Sequence, residues 1–256
     1  MDNSSHSTYQ LNENEADYLS FLLGIIESQN WEAFGYAICS NPTDFQWFAR
    51  KISRLSELNG MTILHACARF NPPALIVKIL LELVPESPSL VDCLNRTPLH
   101  VAAGTRANLA TIQLLADACP VACSVRDEDG KTPLHLACDS ACELFEGDKD
   151  CERFPPSYDV VSTIVKTWPS AVIWEDNDGT SALEHAILSG APIKIIRLLQ
   201  ATTCWQTMKQ AQEISTVMSN SESRDCLDSH QQQHPTIASI PVPDDEVDSA
   251  TNSSGT

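Results

Sequence analysis

Three six-residue stretches of this chain, Thr62-Ile63-Leu64-His65-Ala66-Cys67, Thr97-Pro98-Leu99-His100-Val101-Ala102 and Thr132-Pro133-Leu134-His135-Leu136-Ala137, are copies of one pattern, and the steps from 62 to 97 and from 97 to 132 are both 35 residues. A fourth, weaker copy, Ser181-Ala182-Leu183-Glu184-His185-Ala186, begins 49 residues after the third. Self-similarity at such a period restricts a chain to arrays of stacked supersecondary units. A turn signal precedes each copy: Asn59-Gly60, Asn95-Arg96, Asp129-Gly130 and Asp178-Gly179, residue types that tolerate positive φ. The hydroxyl of Thr62, Thr97, Thr132 or Ser181 can then cap a helix. In the middle two copies proline takes the first helical position, where a missing N–H costs nothing. A second apolar helix is predicted after each motif, over 74–84, 108–119, 157–168 and 192–202. In the first of these, Leu75, Ile76, Ile79, Leu80 and Leu83 recur at the spacing that lines one helix face. A turn and two antiparallel helices cannot bury that face alone, so the units must stack into an all-α solenoid.

These residues resemble the ankyrin family, with its 33-residue unit and Thr-Pro-Leu-His-x-Ala signature, over residues 59 to about 205. The resemblance implies helix-turn-helix units with β-hairpin-like fingers. It also implies that the threonine and histidine side chains bond to each other and to neighbouring backbone, so that Thr62, His65, Thr97, His100, Thr132, His135 and Ser181 are structural. The competing reading, three histidines sharing a metal or an acid–base task, fails on distance, because equivalent residues of stacked helices lie roughly 10 Å apart. The fourth copy departs from the pattern at Ala182 and Glu184, which suggests a terminal repeat.

The boundaries expected are a disordered N-terminus over 1–12, a divergent helical cap over 13–58, repeats over 59–92, 93–126, 127–175 and 176–210, and a disordered acidic tail over 219–256. The cap reads as helices over 13–27, 31–39 and 42–50. Leu19, Leu22, Leu23 and Ile26 share one face of the first, and Trp31, Phe34, Phe45, Trp47 and Phe48 are candidate anchors in the other two. The tail is rich in Ser, Gln, Asp and Pro, and such a segment buries too little apolar surface to offset its ordering entropy.

Catalytic motifs fail one by one. Nine glycines supply no phosphate-cradling loop. Gly179-Thr180-Ser181-Ala182-Leu183 starts like a nucleophile elbow but lacks the closing glycine. The calcium-like runs at Asp127 and Asp176 carry Val125 and Trp174 at the first ligand position and Leu136 and His185 at the last. The cysteines near 119–123 and 138–151 lack the paired short spacing of a zinc module. A net charge of −18 repels a phosphate backbone, so direct nucleic-acid binding is not expected. The longest apolar run, over 74–84, is broken by Lys78 and Glu82, so no membrane span is expected. Met1 to Gln10 lacks the pattern of a secretory signal, which points to a reducing compartment, the cytoplasm or the nucleus, where the ten cysteines stay free.

The expected function is therefore that of a monomeric, cofactor-free scaffold or adaptor, binding a protein partner through the concave face and fingertips. The alternative is a regulatory or thiol-based enzyme using the cysteine-rich third repeat. Two places are candidates for partner contact. Met61, Arg96, Lys131 and Thr180 occupy one equivalent position along an edge and would offer two basic side chains to an acidic or polar peptide. The other is an acidic insertion over 139–156, some 14 residues longer than a normal connection, in which Leu144, Phe145 and Phe154 are apolar residues among acids. It reads either as a partner contact or as a tolerated surface loop.

Overall fold

The computed structural model describes residues 11–53, 55, 58–145 and 155–228, with the side chains of the last helix described through residue 216. The chain divides into two units, Met1–Lys209 and Gln210–Thr256.

The first unit opens with α1 (Glu13–Glu27), α2 (Trp31–Ser40) and α3 (Pro42–Ile52). Asn12 starts α1 with a capping box: its Oδ1 accepts from Glu15 N at 2.9 Å, and Glu15 Oε2 accepts from Asn12 N at 2.9 Å. Leu22, Ile26, Phe34, Ile38, Phe45 and Ile52 are fully buried and form the inside of this cap. Lys51 of α3 donates to Glu15 of α1 at 2.7 Å, tying the first helix to the third. One expected anchor and one residue of the expected α1 face are corrected. Trp47 is 59% exposed, because Phe45, Phe48, Ala49 and Ile52 already take the i, i+3, i+4, i+7 face and leave position 47 on the far side. Leu23 is only partly buried, and Ile25 takes a place inside instead.

Four short inner helices follow, α4 (Ile63–Arg69), α6 (Pro98–Gly104), α8 (Pro133–Cys138) and α10 (Ala182–Leu188), alternating with the outer helices α5 (Ala74–Leu83), α7 (Leu109–Ala118), α9 (Tyr158–Thr167) and α11 (Ile193–Asp228). Inner helices stack on inner, and outer α5, α7 and α9 stack in turn. Small residues permit the close approach of the inner row: Cys67, Ala68, Ala102, Ala103 and Cys138 are buried between neighbours. At the end of the row the equivalent Ile187 is 55% exposed and Leu188 is 81% exposed, since no further inner helix covers them. Between α8 and α9 lies the long connection, whose residues 139–145 and 155–157 are described and whose middle is not.

The fingers carry little regular strand pairing. Among the described residues there is no strand, and a single antiparallel bridge pairs Glu175 with Ser181. Each finger is a tight turn instead, closed by Asp92 N donating to Arg96 O (3.0 Å), Asp127 N to Lys131 O (2.9 Å) and Asp176 N to Thr180 O (3.0 Å). The aspartate side chain accounts for this, because it accepts N–H groups that a strand partner would otherwise take. Neighbouring fingers are joined by backbone bonds, from Cys93 N to Asn59 O (2.6 Å), Glu128 N to Leu94 O (3.0 Å) and Asn177 N to Asp129 O (2.9 Å). Left-handed backbone at Asn59, Gly60, Asn95, Gly130 and Gly179 makes the turns, which is where the sequence offered Asn and Gly.

α11 is longer than its expected span over 192–202 and continues through Ser219, the expected start of the tail, to Asp228. Residues 229–256 and 1–10, where the rest of the tail and most of the N-terminal segment were expected to be disordered, lie outside the described residues. No described helix is long and apolar enough to cross a membrane.

Candidate functional site

The repeated threonine and histidine come together in the same way in three units. Thr62 N and Oγ1 lie 3.1 and 2.9 Å from His65 Nδ1, Thr97 N and Oγ1 lie 3.0 and 2.9 Å from His100 Nδ1, and Thr132 N and Oγ1 lie 3.1 and 2.9 Å from His135 Nδ1. The other ring nitrogen faces the next unit. His65 Nε2 donates to Arg96 O at 2.9 Å, His100 Nε2 to Val125 O at 3.1 Å and Lys131 O at 3.3 Å, and His135 Nε2 to Trp174 O at 3.1 Å. Because Nε2 meets carbonyl oxygens it carries the proton, and Nδ1 accepts. All three rings are fully buried, and burial pushes each down to about 4, so they are neutral at pH 7. A neutral, fully bonded imidazole has no free nitrogen for a metal or a substrate proton. In the fourth unit the histidine is replaced. Glu184 Oε2 accepts from Ser181 N at 2.7 Å and from Ser181 Oγ at 2.8 Å, and the carboxylate is exposed. A histidine there would have no next unit to bond.

A second repeated residue was not read from the sequence as structural. Asp92, Asp127 and Asp176 are buried at the root of each finger, and Oδ1 of each accepts the N–H four residues on, from Arg96 (2.8 Å), Lys131 (2.7 Å) and Thr180 (2.9 Å). An aspartate five residues before Thr97, Thr132 and Ser181 is the signal that could have found them. Burial raises Asp127, with Asp129 adding to it.

Within the edge formed by Met61, Arg96, Lys131 and Thr180, Arg96 is corrected as an exposed basic contact. These residues close the fingers at their base, and Met61, Lys131 and Thr180 are half-buried. Arg96 is 7% exposed and is spent inside: its Nε lies 2.8 Å from Asp92 Oδ2 and its Nη1 donates to Leu144 O at 2.9 Å. Lys131 Nζ lies 3.4 Å from Asp139 Oδ2. The exposed tips are Leu94, Asn95, Glu128, Asp129, Asn177 and Asp178, so the third and fourth fingers present acids rather than bases.

Leu144 and Phe145 are also placed differently from the expected outward contact. The start of the long connection turns back over the inner helices, and both side chains are partly buried against the core. Phe154 lies outside the described residues, as do Cys151 and the acids Glu146, Asp148, Asp150 and Glu152. The fourth unit anchors the base of this arm: Ser140 N donates to Ser189 Oγ at 2.7 Å, and His185, bonded to Asp176 at 2.8 Å, lies 3.7 Å from Asp139.

Among the described residues, no group of three or more His, Cys, Asp or Glu could hold a metal ion. Burial pushes the Cys123 and Cys138 thiols up to about 12 and Cys67 higher still, which leaves all three protonated and unreactive.

Finger, inner helix and outer helix therefore repeat with one hydrogen-bond network, and residues 64–151 match the family model described as ankyrin repeats, in three copies. Residues 64–151 are ankyrin repeats. Ankyrin repeats are generally protein-interaction modules and typically non-enzymatic. No curated protein matches the chain. The matched span starts inside the first inner helix and leaves out the cap and the fourth unit, the parts in which the signature is absent or altered.

Proposed function

We propose that this chain is a non-catalytic scaffold or adaptor that binds a protein partner on the face made by its fingers and inner helices, in the cytoplasm or the nucleus. The observation that carries the reading is the division of labour along that face. The signature threonines and histidines are all buried and bonded, so they hold the array together. What is left for a partner is a row of exposed fingertips whose charged members, Glu128, Asp129 and Asp178, are acidic. Fold alone does not name a partner, but it does define a rigid, laterally bonded edge on which side chains can be read in sequence. Rim charges of this kind steer association and choose partners more than they add affinity. The cysteines among the described residues are free thiols, as a reducing compartment requires.

Affinity capture with the wild-type chain and with an E128K/D178K variant tests the proposal. A partner retained by the wild type and reduced at least tenfold by the variant, at unchanged melting temperature, is the expected result. Equal capture by both would move the binding surface off the fingers.

A further inference from the structure

Three arginines of an acidic protein converge on one short segment. Arg69, at the end of α4, lies with Cζ 4.0 Å from the Phe145 ring centroid, and Arg96, in the second finger, approaches the same ring at 5.1 Å while donating Nη1 to Leu144 O. Arg106, between α6 and α7, donates Nη2 to Ser140 O at 2.9 Å. Two local features of the second repeat fit this segment. Position 104 is glycine where the equivalent positions of the other units are Arg69, Asp139 and Leu188. A Cβ there would stand 2.9 Å from Leu144 Cγ, nearer still to its Cδ1, and 3.3 Å from Cys142 Sγ. Position 106 is an arginine in left-handed backbone, φ 60°, where the first and fourth units carry Asn71 and Gly190 at the equivalent place. The segment is not packed down along its whole length. An open pocket of about 330 Å³ remains between it and the second and third fingers, lined by Leu94, Lys131 and Leu144 and by the acids Asp127, Glu128 and Asp139.

We propose that the segment from Asp139 to Phe145 is an internal ligand. It occupies an arginine-lined groove on the inner-helix face of repeats 1 and 2, and it must be displaced before a partner segment of the same chemistry, an aromatic residue beside acids, can bind there. The proposal rests on the inner-helix face being the binding surface. Arg69 and Arg96 recognise the partner's aromatic ring by cation–π contact, and Gly104 leaves room for the apolar residue before it. Tethering makes the arm a strong competitor, because an intramolecular ligand acts at an effective concentration in the millimolar range for a short linker.

The test uses a fluorescein-labelled synthetic peptide carrying the 139–145 sequence with Cys142→Ser. Its anisotropy is titrated with the full wild-type chain and with an L144S/F145S variant in which the arm is released. The variant should bind the peptide at least tenfold more tightly than the wild type. A second variant, G104L, carries the leucine that the fourth unit bears at this position. It should bind no peptide yet raise the alkylation rate of Cys142, read site by site by mass spectrometry. Equal peptide affinity in wild type and L144S/F145S would mean that the face binds such a segment but the arm does not guard it. Absence of binding by both would mean that the groove does not take this chemistry, whatever the capture experiment on the fingertips returns. If L144S/F145S fails to fold, an unchanged Cys142 rate in G104L overturns the proposal on its own.

Discussion

At the scale of single residues, stability is concentrated in buried polar groups that serve two neighbours at once. His65, His100 and His135 each bond a threonine in their own unit and a carbonyl in the next, so loss of one ring leaves partners unsatisfied on both sides. His100→Ala should cost about 1 to 3 kcal/mol, measured by urea unfolding. Protonation does similar damage. The folded rings titrate near 4 and the unfolded ones near 6.5, so between those values the unfolded chain binds more protons. The contribution of the neutral rings is complete above pH 6.5 and is lost as pH falls toward 4, roughly 3 kcal/mol for each ring. The melting temperature should therefore drop between pH 7 and pH 5 in the wild type and less steeply in a variant lacking one ring; a flat profile over that range would contradict the buried neutral assignment. Asp92 carries the second finger in the same manner, through N–H bonds from Leu94 and Arg96 and an ion pair with the Arg96 side chain. Asp92→Ala strands a buried arginine and should cost about 3 to 5 kcal/mol by the same measurement.

At the scale of elements, what could be read in the sequence was what depends on spacing within one element. The cap helices follow from apolar periodicity, and α1 spans Glu13–Glu27, where that periodicity places it. The inner helices follow from the hydroxyl caps and the prolines. Trp47 shows how a large side chain can be over-read, since helix phase and not size decides which residue is inside. The fingers looked like hairpins because Asn and Gly mark turns in both, and the difference lies in the aspartates that satisfy the turn from within. The arm over the inner face was not legible, because Phe145 meets Arg69 and Leu144 meets Gly104 across long stretches of chain. Its only local traces are a glycine and an arginine out of keeping with their equivalents. Arg106 in left-handed backbone costs on the order of 1 kcal/mol relative to glycine, which its bond to Ser140 offsets. The end of the row was legible, because Glu184 replaces histidine where no next unit exists. A lysine at Ile187, which is exposed, should change stability by about 0.5 kcal/mol or less. A lysine at the equivalent, buried Ala103 should prevent folding, and circular dichroism melts of the two variants would separate these outcomes.

At the scale of the whole molecule, the buried core extends from Leu19 to Leu199 and belongs to the first unit, so the cap and four repeats are expected to melt as one array. A chain ended after Lys209 should keep its melting temperature within a few degrees, and a larger drop would show that the second unit contributes to that stability. Along the array the inner-helix face is polarised, with arginines gathered on repeats 1 and 2 under the arm and acids on the tips of repeats 3 and 4. A partner segment lying along it would be read for charge at one end and for an aromatic side chain at the other. Hydrogen–deuterium exchange of the captured complex tests this account most directly. Protection confined to the fingers at 93–96, 127–131 and 176–180 and to α4, α6 and α8, with exchange increased at 139–145, is the predicted result; protection confined to the outer helices α5, α7 and α9 would contradict it.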